Sequence, residues 1–132
     1  MNARILVVDD LEDWRETISG LLADQGYRVK AVDSSKAALT ALALAPYDLA
    51  VIDVRLDETD EDNAEGIDLA AEIQKQWPDV KRVIVTGYAT RARFRQAMEP
   101  DARGRRLVEN CVEKKDTGML VNIVNELLGR KG

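Results

Sequence analysis

Three short apolar runs in this chain of 132 residues each stop at a side chain able to do chemistry. Ile5-Leu6-Val7-Val8 meets Asp9-Asp10, Leu49-Ala50-Val51-Ile52 meets Asp53, and Val83-Ile84-Val85 meets Thr86. Runs this short, rich in β-branched residues and apolar at every position, suit strands covered on both faces, as in a parallel sheet. Parallel strands share a carboxyl edge, and open α/β sheets bind their ligands there. The pattern therefore predicts three carboxylates and a hydroxyl in one crevice.

The sequence between these runs supports a parallel sheet. Leu11, Trp14, Ile18, Leu21 and Leu22 are spaced for one buried face of a helix over about Leu11–Gln25, and Gly26 follows as a C-terminal glycine does. Tyr27–Val32 reads as a second strand. Ser34 or Ser35 caps a helix to about Leu44, and Pro46 ends it. Asp48–Val54 is the third strand. A long polar loop leads to a helix over about Ile67–Gln76, stopped by Trp77-Pro78. Arg82–Thr86 is the fourth strand, Thr90–Met98 a helix ended before Pro100, and Leu107–Val112 the fifth strand. Asp116 or Thr117 caps a last helix to about Leu128, with Leu120, Ile123, Val124, Leu127 and Leu128 facing inward and Gly129 closing it. Strict βα alternation predicts an α/β fold: a flavodoxin-like, doubly wound, five-stranded parallel sheet in order 2-1-3-4-5, helices on both faces. With no repeat or linker in view, residues 1–132 are expected to form a single domain.

Composition narrows the functional classes. The chain is 45% apolar and 33% charged, as a globular domain is. No apolar run approaches the ~18 residues of a membrane span, and no signal-peptide pattern opens the sequence. The single Cys111 excludes an internal disulfide and fits a reducing compartment, so a cytoplasmic location is expected. The absence of histidine removes His-based triads, bases and metal sites. Residues 1–65 carry 15 acids against 6 bases, whereas residues 91–115 carry 8 bases against 4 acids. The acidic half is unsuited to nucleic acid, and the basic stretch is mild.

In the expected strand order, Asp9-Asp10 and Asp53 become neighbours. Each pair of carboxylates about 4–5 Å apart, at an effective dielectric near 20, costs about 3–4 kcal/mol. Either one carboxyl takes up a proton or a hard divalent cation binds, and Mg²⁺ (or Mn²⁺) suits so few carboxylates. Asp also favours helix N-caps, but two consecutive acids behind a buried strand exceed that need. Lys114, at the end of the fifth strand, can enter the same crevice, although Lys115 beside it is an equal candidate by spacing alone. A carboxylate nucleophile, a cation, a lysine and a hydroxyl are the parts that phosphoryl transfer uses.

The set Asp9-Asp10, Asp53, Thr86 and Lys114, each ending its strand, resembles the receiver domain of two-component response regulators across essentially the whole chain. The resemblance implies that Asp53 is the phosphoacceptor. It implies a metal held by Asp10, Asp53 and the backbone carbonyl of Arg55, with Asp9 acting through water. Thr86 would be the switch hydroxyl and Lys114 the phosphate-contacting lysine. The implied donor is a sensor histidine kinase or a phosphotransfer protein. The implied function is a phosphorylation-controlled interaction switch, an enzyme at most toward its own phosphorylation and dephosphorylation.

The sequence departs from the receiver pattern in four places. The residue after the lysine is usually a proline in a cis bond; here it is Lys115. A cis bond before a non-proline residue costs about 2.5–4 kcal/mol, so a trans bond and a somewhat repositioned Lys114 are expected. Cys111 stands where an aromatic switch residue is usual, and reads as a small buried hydrophobe; Tyr88, two residues after Thr86, could gate the site instead. The loop Leu56–Glu65 is longer than usual and holds six acids and no base; it reads as a solvated or partner-docking loop. The stretch Arg91–Arg106 is also long and carries six arginines. In receivers that side, with the fourth helix, fifth strand and last helix, is the output and dimerisation face, so a basic patch there could meet an acidic partner or the acidic loop of a second copy in a homodimer; a solvated arginine-rich helix and loop is the alternative. Arg55, Tyr88, Cys111 and Lys115 are candidate modulators. Direct nucleic-acid and membrane binding are not expected. Nothing follows the last helix to supply a DNA-binding or catalytic output, so either the chain acts by protein contact alone or it is cut from a larger protein. Two other readings stay open. One is a receiver-like binding module no longer controlled by phosphate, favoured by Lys115 and Cys111. The other is a small Mg²⁺-dependent phosphatase, disfavoured by Arg55 where a second acid is usual.

Overall fold

The computed structural model describes residues 3–53, 65–86, 102 and 108–129. Five parallel strands form one sheet in the order β2-β1-β3-β4-β5: β1 Arg4–Val8, β2 Arg28–Val32, β3 Leu49–Asp53, β4 Lys81–Thr86 and β5 Asn110–Glu113. The described helices are α1 Glu12–Asp24, α2 Ser35–Leu44, α3 Glu65–Gln76 and α4 Thr117–Leu127. The doubly wound order expected from the alternation is the one formed. The acidic loop 56–64, the expected helix near Thr90–Met98 and the arginines of the 91–106 stretch lie outside the described residues.

The inner strands are apolar at every position because both faces are covered. Ile5, Val7, Val51, Val83, Val85 and Val112 pack with Ile18 and Leu22 of α1 and Leu120 and Val124 of α4. Leu6, Val8, Ala50, Ile52 and Ile84 pack on the other face with Ala38, Ala41 and Leu42 of α2 and Leu69, Ala70 and Ile73 of α3. Each fully buried aliphatic side chain contributes about 1.5–3 kcal/mol. β2 has one neighbour, and Arg28, Lys30 and Ala31 on it are exposed, as an edge strand allows.

Local signals set most boundaries. Ser34 Oγ accepts from Ala37 N–H at the start of α2, and Asp116 Oδ1 accepts from Met119 N–H at the start of α4. Gly26 ends the turn after α1 at φ 95°, in the left-handed region that glycine enters freely. Three expectations need correction. Leu11 is 38% exposed: it is the N-cap of α1, not part of the helix, so the helical spacing does not bury it. β2 starts at Arg28 rather than Tyr27; the Tyr27 ring is buried and its hydroxyl donates to Asn125 Oδ1 of α4, whose amide donates to Gln25. β5 starts at Asn110, not Leu107; Val108 is buried in the core before the strand begins.

Candidate functional site at the carboxyl edge

The strand order reverses between β1 and β3: the chain first moves outward to β2, then returns to the other side of β1. A crevice opens at such a switch point, at the carboxyl ends of the strands. Register fills it. Val8 pairs with Ile52, so Asp9 lies beside Asp53. Asp53 pairs with Val85, so Thr86 stands one residue further along. Thr86 pairs with Glu113, so Lys114 comes next, and its N–H donates to the Thr86 carbonyl at 2.8 Å.

These side chains are withdrawn from water. Asp9 is 0% exposed, Asp53 2%, Thr86 4% and Lys114 5%. Lys114 Nζ lies 2.8 Å from Asp9 Oδ2 and 3.1 Å from Asp53 Oδ2. Burial alone would pull the ammonium's pKa down, but hydrogen bonds and charge from Asp9 and Asp53 outweigh it and hold it above the ordinary lysine value. The choice between the two lysines is therefore settled by position: Lys114 is inside and Lys115 is exposed. The Lys114–Lys115 bond is trans, as expected. The expected repositioning does not take Lys114 out of the crevice, because the backbone hydrogen bond to the Thr86 carbonyl fixes its main chain.

Asp9 has a second task. Its Oδ1 accepts the Leu11 N–H at 2.9 Å, and its carbonyl accepts from the Arg15 guanidinium at 2.8 Å. α1 has no side-chain cap at Leu11 itself, so Asp9 holds the start of the helix. Arg15 was not singled out by spacing; its contact is to a backbone atom and leaves no motif. The Trp14 ring, on the same turn of α1, lies under Lys114, with Nζ 5.3 Å from its centroid.

Asp9, Asp10 and Asp53 each offer an oxygen, all within 4.8 Å of one another. Among the described residues, three carboxylates against one ammonium leave a net negative, largely buried cluster built of hard oxygen donors. That donor set fits Mg²⁺, which takes oxygen ligands and few carboxylates. Cys111 is half-buried against the α2–α3 side of the core, and burial pushes its thiol up to about 12. It faces the core rather than the crevice, in line with the reading as a small hydrophobe. Arg55 and Tyr88 lie outside the described residues.

The chain is similar to known proteins. The pattern of the response regulator receiver domain matches residues 5–116. The response regulator receiver protein CpdR of Brucella abortus is 29% identical over 125 residues, covering 95% of this chain and 96% of that protein. An NtrX-like response regulator of Rickettsia bellii is 33% identical over 86 residues, 65% of this chain but only 17% of that protein. The chain thus spans less than a fifth of that longer relative. The crystal structure of the receiver domain of NtrX from Brucella abortus superposes with a TM-score of 0.79 at 26% identity, covering 96% of this chain and 99% of that one. The family pattern runs from the first strand to the cap of the last helix, and the chain belongs to the response regulator receiver domain family.

Proposed function

We propose that this receiver domain is switched by a phosphoryl group carried on Asp53, donated by a sensor histidine kinase or a phosphotransfer protein. The observation that supports this most is the setting of Asp53: buried at the switch point, beside Asp9, and 3.1 Å from the Lys114 ammonium. An Asp53 carboxylate oxygen attacks phosphorus of the donor's phosphohistidine. The P–N bond breaks, its electron pair leaves with the imidazole, which takes up a proton, and an acyl phosphate remains on Asp53.

Mg²⁺ (or Mn²⁺), held by Asp10, Asp53 and the Arg55 carbonyl and by Asp9 through water, would neutralise charge gathering on the phosphoryl oxygens. Lys114 supplies a second positive charge to the same oxygens, and the Thr86 hydroxyl donates a hydrogen bond once the group is attached. Arg55 and Tyr88 flank the site in sequence and would tune access of water to the acyl phosphate. The altered charge would bias the face made by β5 and α4 between two arrangements. That face would contact the output partner or a second copy. No enzymatic activity beyond forming and losing its own phosphate is proposed. No helix among the described residues is long and apolar enough to cross a membrane. The role proposed is a cytoplasmic one, without membrane or direct nucleic-acid contact. The reading as a phosphate-independent module leaned on Lys115 and Cys111; Lys114 holds its carboxylate partners despite the lysine beside it.

The test is incubation with Mg²⁺ and acetyl phosphate, read by intact mass, with beryllofluoride binding followed by tryptophan fluorescence. One phosphate per chain on the wild type and none on Asp53→Asn is the expected result. A wild type that behaves like Asp53→Asn in both readings overturns the proposal.

A further inference from the structure

Lys114 has a mobile four-carbon side chain, and holding it in one place costs rotamer entropy. The residue that follows gives no help: Lys115 is exposed and joined by a trans bond. Trp14 walls the ammonium instead. Its ring centroid is 5.3 Å from Nζ, within the reach of a cation–π contact, and that contact strengthens where water is excluded. Lys114 is 5% exposed, so the condition is met.

Trp14 is itself well fixed. Asp9 Oδ1 holds the Leu11 N–H, and Arg15, the residue after Trp14, donates to the Asp9 carbonyl. Ile18, one turn further along α1, is fully buried. The ammonium therefore has Asp9 and Asp53 among its neighbours and an aromatic face beside it. An aromatic face attracts a cation without offering a directed acceptor, so it does not tie Nζ to one carboxylate oxygen. That property suits a lysine whose partner charge moves from a carboxylate to a phosphoryl group.

We propose that Trp14 is a positioning residue for phosphorylation, holding the Lys114 ammonium in the crevice and shielding it from water; this rests on Asp53 being the phosphoacceptor. The experiment uses the whole chain with Mg²⁺ and acetyl phosphate, and reads the initial rate of phosphate incorporation by intact mass. Trp14→Leu should slow it about three- to tenfold, whereas Trp14→Phe, which keeps an aromatic face, should stay within about twofold. Thermal unfolding checks that each variant is folded. Trp14→Met, which keeps apolar bulk without a π face, replaces the leucine variant if that one fails to fold, and should be slowed alike. In a Lys114→Met background, Trp14→Leu should bring no further loss. Incorporation by Trp14→Leu or Trp14→Met at the wild-type rate overturns the proposal, as does an undiminished effect in the Lys114→Met background. A wild type that takes up no phosphate overturns the phosphoacceptor reading and this proposal together, and the wild-type control tells that failure from the others.

Discussion

Two cations are buried at opposite ends of the β4–β5 pair, and their surroundings treat them in opposite ways. Lys114, at the carboxyl end, meets Asp9 and Asp53 at 2.8 and 3.1 Å and binds its proton more tightly than an ordinary lysine. Arg82, near the amino end, is 4% exposed; burial lowers its pKa, and Glu109 at 3.4 Å only partly offsets this. One of its nitrogens donates to the Val80 carbonyl at 2.6 Å. Glu109 keeps 30% of its side chain in water, whereas Asp9 and Asp53 keep 1% and 2%. Among the described residues, the carboxyl end thus holds more negative charge than its lysine balances, whereas at the amino end Arg82 faces a single, partly solvated carboxylate. A surplus of buried charge is costly for a fold and useful for binding a cation.

Breaking the two cations separately should give unequal results. Lys114→Met strands two buried carboxylates, so in the presence of a chelator we expect a loss of about 3–5 kcal/mol in urea unfolding. The next largest effect is the metal's. At a Mg²⁺ concentration a hundredfold above its dissociation constant, the wild type should gain about 2.7 kcal/mol. Asp10→Asn should shrink that gain, and Arg82→Met should leave it whole. Arg82→Met itself leaves a solvated Glu109 and an apolar side chain of similar length, so about 1 kcal/mol or less is expected. Equal losses for Arg82→Met and Lys114→Met would dissolve the contrast.

The smallest effect concerns Cys111, between the two cations on β5. Its folded pKa of about 12 stands above the ordinary 9.0. Below pH 9.0 the thiol is neutral in both states and its contribution is intact. Above that, the unfolded chain ionises first, and stability is lost as pH rises toward 12. Cys111→Val should flatten that part of the profile. At pH 8, which is about the usual alkylation condition, iodoacetamide should label the native chain at least about tenfold more slowly than the unfolded one. Equal labelling rates would show that the thiol is not shielded.

Much of this was legible in the sequence, for identifiable reasons. β1, β3 and β4 are written as unbroken apolar runs because both faces of each are covered. Ser34 and Asp116 mark the starts of α2 and α4, and Gly26 the end of α1, through purely local bonds and a left-handed turn. The misplaced starts of β2 and β5 share a cause: Tyr27 and Val108 are buried, and burial outside a strand looks the same in sequence as burial within one. The acids and the hydroxyl of the crevice were readable because each ends its strand or comes just after it. Lys114 was not separable from Lys115, since the choice depends on where β5 stops pairing with β4. The Trp14–Lys114 contact joins residues 100 positions apart and has no local signature.

The link from Tyr27 through Asn125 to Gln25 has a mechanical consequence. α4 begins three residues after Lys114 and carries Asn125 near its other end, hydrogen-bonded to Tyr27 ahead of β2 and to Gln25 after α1. The helix is thus a lever, driven at one end and hinged at the other. Displacement of Lys114 is expected to swing the Gly118–Val121 turn most and the Asn125 turn least. Amide exchange along α4, compared with and without beryllofluoride, would read that gradient directly, and a uniform change along the helix would mean that the hinge slips.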